Sequence, residues 1–359
     1  MKRRVLSVML AAALCLGLLP GRAEAAEETV EVQIEGTAIT GGYYKITESG
    51  PLEAGTADDF NICFVPETNT LTLKDAALTK GQTAVKFIYP SNDTAAVLEL
   101  IGENQIEADN YAIHADRNGS IPSSSADVNV HLTITGSGTL TTQSIWGIQA
   151  TNLTIENTTL DMTTGGHSAL NITRDLTIRE AEITTADNGD GGDFYVCRSL
   201  RISDSKIDMR NIQVEYPSIY LSNTYCPDAL KITPAVVIES STLQIGGLST
   251  SSLGYMLYVA YCGAEIIDST LASANNSRTG IASAQSGPLL IRGNSHIDSG
   301  TKLAIKGTGK TSIEANAAIT GRAEGAPLVN NGLILLPGGV SAEELNDTLC
   351  YYGGGTVKT

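Results

Sequence analysis

Basic and aromatic residues are scarce in this chain. Its 359 residues include one tryptophan, four phenylalanines and four histidines, and 23 lysines and arginines face 39 aspartates and glutamates, for a formal net charge of −16. Nucleic acids and anionic membranes are bound through basic surfaces, so neither is expected as a partner. The six cysteines are irregularly spaced, which excludes a small-domain disulfide framework and a Cys-x-x-Cys metal knuckle. No phosphate loop, nucleophile elbow or zinc signature is present. His114, His131, His167 and His296 are scattered without ligand spacing. Beyond residue 25 no long apolar run occurs, so no membrane insertion is expected.

Helical periodicity is missing as well. What takes its place is a returning phrase: Leu153-Thr-Ile155, Leu176-Thr-Ile178 and Leu200-Arg-Ile202, each followed by a polar turn and a further apolar residue, Leu160, Ile183 or Ile207. The second apolar position can be followed through Leu73, Leu100, Ile134, Ile155, Ile178, Ile202, Ile238, Ile266, Ile291, Ile313 and Leu335, with spacings mostly of 21 to 28 residues. A fixed repeat of this length is the mark of a solenoid. Leu-x-Ile alternates with a period of two, which puts both apolar residues on one side of an extended strand. Thr133, Thr154 and Thr177 then face outward, where a β-branched polar residue suits a solvated strand.

A third strand per repeat is read from Ala112–Ala115, Gly147–Ala150 and Ser168–Ile172. The pattern therefore predicts an all-β chain: a single parallel β-helix of about eleven turns, about 50 Å long at the usual strand spacing. Residues 69–340 form the coil. Residues 26–68, which lack the phrase, are expected as an N-terminal cap, and 341–359 as a C-terminal cap or tail that opens with a helical turn at Ser341–Asn346. The 36 residues between Ile202 and Ile238 must include a loop, rich in tyrosine.

Residues 1–25 read as a secretory signal peptide, with Lys2-Arg3-Arg4, an apolar stretch from Val5 to Leu19, and the small-residue site Ala23-Glu24-Ala25. Their removal takes away four basic residues and one acidic residue and moves the charge to −19. The expected location is extracellular, in the medium or at the cell surface.

Asn69–Ala77, Leu98–Ile106 and Leu132–Leu140 carry a resemblance that extends over roughly residues 29–340. The chain resembles secreted clostridial-type proteins of the pectin-lyase-like β-helix superfamily. That resemblance implies a right-handed coil. It also implies, from relatives that act as carbohydrate-binding, calcium-containing modules, a cell-wall or other polysaccharide as partner and Ca²⁺ as cofactor. The same coil carries lyases, hydrolases and adhesins, so the resemblance leaves the activity open.

Three constellations can be weighed from the residues themselves. Asp187-Asn-Gly-Asp190-Gly-Gly-Asp193 gathers three carboxylates among turn-forming glycines and suits Ca²⁺, although it lacks the terminal glutamate of an EF-hand loop and reads equally as an ordinary turn. Glu180 and Asp204 fall at the same offset on adjacent turns, as a glycosidase pair would, and the resemblance, whose members commonly use an arginine or lysine as a lyase base, implies the outward Arg201 for that role. His114, Gln149 and Asn171 form one outward column, with Trp146 and His167 beside it. Neutral polar groups beside an aromatic plane suit a sugar, whose hydroxyls need donors and acceptors and whose C–H faces stack on rings. The column favours noncatalytic polysaccharide binding. A polysaccharide lyase or glycoside hydrolase acting on acidic glycans, and an adhesin or structural surface protein, are the alternatives.

Overall fold

The computed structural model describes residues 29–47, 52–117, 128–187, 193–210, 213–214, 217–222, 232, 234–246, 248–249, 254–273, 279–283, 287–299, 305–307, 310–314, 316–321, 327–330, 333–335, 350–351 and 356–358. They are almost wholly β, and the described residues include no α-helix and one 3₁₀ turn, Pro66–Thr68. Three long sheets hold the strands: sheet I with 13 strands, sheet II with 15 and sheet III with 10. From Thr70 to Leu335 the chain visits sheets II, III and I in rotation, with a small two-stranded sheet of Gln213–Val214 and Leu248–Ser249 inserted between sheets III and I in two repeats, so strands neighbouring in a sheet come from successive repeats and pair in parallel. This is the solenoid arrangement that the returning phrase predicts.

The phrase itself builds sheet II. Ile134 stands opposite Ile155, Ile155 opposite Ile178, Ile178 opposite Ile202, and Ile202 opposite Ile238. All five are essentially inaccessible to solvent and belong to one continuous core running from Val30 to Ile319. At the two ends the register differs from the sequence reading. Ile134 pairs with Leu98, and Leu98 with Leu71, so the column begins two residues earlier than Leu73 and Leu100. A step of two keeps the same side of the strand, which is why all four leucines are buried. Leu335 stands opposite Ser312 and not Ile313, a slip of one residue.

Residues 31–65 pair antiparallel. The hairpin Glu31–Ile34 and Thr37–Ile39 covers the edge of sheet I at Thr83–Tyr89, and Gly42–Lys45, Glu53–Ala54 and Ile62–Val65 extend sheet II from Thr70–Lys74. At the far end, Cys350–Tyr351 and Thr356–Lys358 pair in parallel with Pro327–Asn330 and Leu333–Leu335. The described part of the expected cap or tail thus adds strands to the coil. The helical turn expected at residues 341–346, and the signal peptide, lie outside the described residues.

The turn from sheet II to sheet III holds the register. Its first residue is left-handed in repeat after repeat: Asp75, Asn157, Glu180, Asp204, Ser240 and Asp268 have φ between 46° and 52°. Asx residues tolerate this region and glycine is free in it. Where the column carries an aspartate followed by a glycine, the carboxylate takes the space above. Asp268 Oδ1 accepts the N–H of Asn294 at 2.9 Å, and a Cβ on Gly293 would meet that same oxygen at 2.2 Å. The next position is a buried serine ladder. Ser205 N donates to Ser241 Oγ at 3.1 Å, Ser241 N to Ser269 Oγ at 3.0 Å, and Ser269 N to Ser295 Oγ at 3.3 Å. The hydroxyls donate back to the carbonyls of Ser203, Glu239 and Ile267. Each serine thus satisfies backbone groups that burial would otherwise leave unpaired.

Candidate functional site

The outward column of sheet I is longer than the sequence suggests. Lys86 stands opposite His114, His114 opposite Gln149, and Gln149 opposite Asn171. The series then continues through Tyr195, Tyr220 and Tyr258. Neighbouring tyrosine rings have centroids 5.4 Å and 5.3 Å apart, with planes tilted by 59° and 50°. That tilt leaves each ring face only partly covered by its neighbour. All three tyrosines are half-buried. Burial pushes the Tyr195 phenol above its ordinary range, with Ser222 and Cys197 beside it.

Local sequence explains the placement. In Leu170–Ile172, Phe194–Val196 and Ile219–Leu221 the two outer residues are buried and the single middle residue faces out. Asn171, Tyr195 and Tyr220 occupy that middle position. The ten strands from Thr83–Tyr89 to Pro327–Asn330 in sheet I contain one carboxylate, Asp116, which is 2 % exposed. Burial raises its pKa to about 6, against hydrogen bonds from the Arg117 backbone and Thr151 and the charge of Lys86. Sheets II and III carry acids on their outer positions, among them Glu99, Glu156, Asp161 and Glu182. Within its strands, sheet I is therefore almost free of carboxylates.

Not all the expected binding residues are accessible. His114 is 6 % exposed and Gln149 4 %, so these two support the face from beneath. Asn171 is half-buried and His167 exposed. Trp146 is half-buried, and its rings are occupied on both sides. His167 stacks on it at 3.9 Å with planes 11° apart, while Tyr111, from the preceding strand of the sheet, stacks at 6.1 Å and 26°. Tyr111 in turn stacks on His114 at 5.2 Å. Trp146 presents an edge, not the open plane that sugar stacking would use. The aromatic rings further along the column are those of the tyrosines, with Tyr255 packed against Tyr258 at 5.8 Å; Tyr195 and Tyr220 lie in strands too short to show alternation.

The other constellations are dispersed. Asp193 is fully buried and accepts a hydrogen bond from Thr185 inside the coil. Asp187 ends the strand Glu182–Asp187, opposite Thr164, and Asp190 lies outside the described residues. An ion held by the loop would have to reach the Asp193 carboxylate from within. Among the described residues no three His, Cys, Asp or Glu side chains gather around a common point. Glu180 and Asp204 are exposed and share an open depression with Lys206, at the left-handed turn position that Asp75 and Asp268 use structurally. A general acid in hydrolysis works from a partly desolvated cleft, and these two carboxylates stand in an open turn. Arg201 reaches the carbonyl of Pro234 at 3.4 Å, and Arg179 forms an ion pair with Glu156 across one turn. Cys63 is a buried free thiol.

In comparisons with known proteins, no family model, no curated protein and no solved structure matches this chain.

Proposed function

We propose that this chain is a secreted, noncatalytic, polysaccharide-binding protein, built as a right-handed parallel β-helix of about eleven turns. The hand follows from the near-universal preference of parallel crossover connections. The single observation that supports the binding role is the continuous outward column from Asn171 through Tyr195, Tyr220 and Tyr258, on a sheet almost free of carboxylates. Ring faces repeat near the strand spacing, amide and phenol groups supply donors and acceptors, and an elongated glycan lying along the coil can engage several at once.

A glycan array with and without EDTA, run beside an absorbance assay for unsaturated uronate products, tests this reading. The expected result is binding without product, and the EDTA arm reads any contribution of Ca²⁺ at Asp187, Asp190 and Asp193. Release of unsaturated product would replace the binding role with a lyase. Absence of binding to every glycan would leave an adhesive or structural role.

A further inference from the structure

The bend between Thr159–Thr164 and Leu170–Ile172 carries the imidazole of His167 onto the indole of Trp146. Gly166 sets the direction of that bend with a φ of 140°, which an L side chain rarely adopts. A Cβ at Gly166 would meet nothing within 4 Å, and one at Gly165 nothing closer than 3.8 Å, so the backbone of the bend has room around it. Two bonds tie its ends to the preceding turn: Gly165 N donates to the Ser144 carbonyl at 2.9 Å, and the Ser168 carbonyl accepts from Gly147 N at 3.3 Å.

A second observation concerns what holds the imidazole. His167 is exposed, and among the described residues its ring makes the stack but no hydrogen bond or ion pair. The indole, by contrast, is supported from elsewhere. Tyr111, one turn earlier, stacks on it at 6.1 Å and is itself stacked on the buried His114, and Ser144 Oγ donates to the Trp146 carbonyl at 2.7 Å. Trp146 therefore keeps its place without His167. Removing the imidazole leaves a half-buried indole with one free face, beside the 42 % exposed side chain of Ile145.

We infer that His167 is a removable cover over a second sugar subsite: a pyranose ring of the glycan displaces the imidazole and lays its C–H face on the indole in its place. The inference rests on the polysaccharide-binding reading and adds an autoinhibitory contact to it. Near-parallel planes 3.9 Å apart are the arrangement that a sugar ring stacked on Trp146 would reproduce. Trp146 opens the strand Trp146–Ala150, whose Gln149 stands next to Asn171 in the sheet I column. Three residues along a strand span about 10 Å, so a glycan held on that column reaches the indole with a neighbouring ring or a branch. An aromatic pair of ordinary strength favours the stacked state by about two- to twelvefold, a bias that a stacking ligand reverses. Until it is reversed, the cover weakens binding by about that factor.

Titration calorimetry of the full chain with hexamers of glucose, N-acetylglucosamine and galacturonate, joined to acrylamide quenching of Trp146, tests the inference. His167→Ala, with unchanged far-UV circular dichroism, is expected to bind the preferred hexamer about two- to twelvefold more tightly than the parent chain. Acrylamide should quench its indole more strongly, and saturating hexamer should restore the protection. Adding Trp146→Ala to His167→Ala should remove the gain in affinity, which a general loosening of the bend would not do. Unchanged or weaker binding by the folded His167→Ala chain would overturn the inference, and so would a gain that survives the loss of the indole. If hexamers bind, Tyr220→Ala weakens them and His167→Ala does not strengthen them, the cover is wrong and the sheet I face stands. If no hexamer binds to either chain, both readings fall.

Discussion

The imidazole of His167 lies on the indole of Trp146, centroids 3.9 Å apart and planes 11° from parallel. Trp146 is the only tryptophan of the chain, so its fluorescence reports on this stack, in which Tyr111 packs on the indole as well. His167→Ala should change the emission intensity and maximum, and it should cost about 0.5–1.5 kcal/mol in urea unfolding, the range of an aromatic pair. An unchanged emission spectrum would mean that the two rings do not stack in solution.

Tyr220 stands between Tyr195 and Tyr258 in the outward column. Tyr220→Ala removes the ring common to both tilted pairs and should weaken glycan binding more than Asn171→Ala, which takes away one amide at the end of the series. Affinity electrophoresis through polysaccharide gels gives the ranking directly. Tyr220→Phe separates the two contributions of the side chain, since it keeps the ring and loses the hydroxyl.

In the serine ladder, Ser241 Oγ accepts from Ser205 N and donates to the Glu239 carbonyl. Ser241→Ala leaves both buried groups without that partner. The expected destabilisation is about 1–3 kcal/mol, read as a lower urea midpoint. Ser241→Thr keeps the hydroxyl and should recover part of the loss.

Asp116 gives stability a distinct pH dependence. Its folded pKa, raised to about 6 by burial, lies above the ordinary carboxylate value, so the native state binds the proton more tightly than the unfolded state does. This contribution is full below the unfolded pKa near ~4 and is lost as pH rises through about 6. Asp116→Asn should flatten the stability profile between those limits and stabilise the chain at neutral pH, by on the order of 2 kcal/mol. Tyr89, whose phenol is held above its ordinary range by burial and by the Asp116 charge, faces the same site, as do Lys86, Arg117 and Thr151. His131 shifts the opposite way. Burial lowers its pKa, so its contribution is lost as pH falls below the ordinary histidine range.

Sheet II was the most legible part of the fold, because Leu-x-Ile shows its alternation within three residues and repeats it. The mistaken starts at Leu73 and Leu100 follow from the same property: a shift of two residues preserves every inward position, so sequence alone does not choose between Leu98 and Leu100. The column from His114 to Asn171 was legible by analogy of position. Its continuation was not, since Phe194-Tyr195-Val196 and Ile219-Tyr220-Leu221 hold one outward residue each and follow segments of irregular length. The triplet of apolar, polar or aromatic, and apolar residues is the signal that could have joined them to Leu170-Asn171-Ile172. The burial of His114 and Gln149, the inward turn of Asp193 and the covering of Trp146 depend on packing between turns. No local pattern carries that information.

The central claim is that the sheet I face binds a polysaccharide through its tyrosines. Calorimetric titration of the full chain and of the triple variant Tyr195→Ala, Tyr220→Ala, Tyr258→Ala, using the glycan that binds best, tests it most directly. The account predicts measurable binding by the parent chain and at least a tenfold loss in a triple variant that retains its β-rich circular dichroism. Undiminished binding by that folded variant would contradict it.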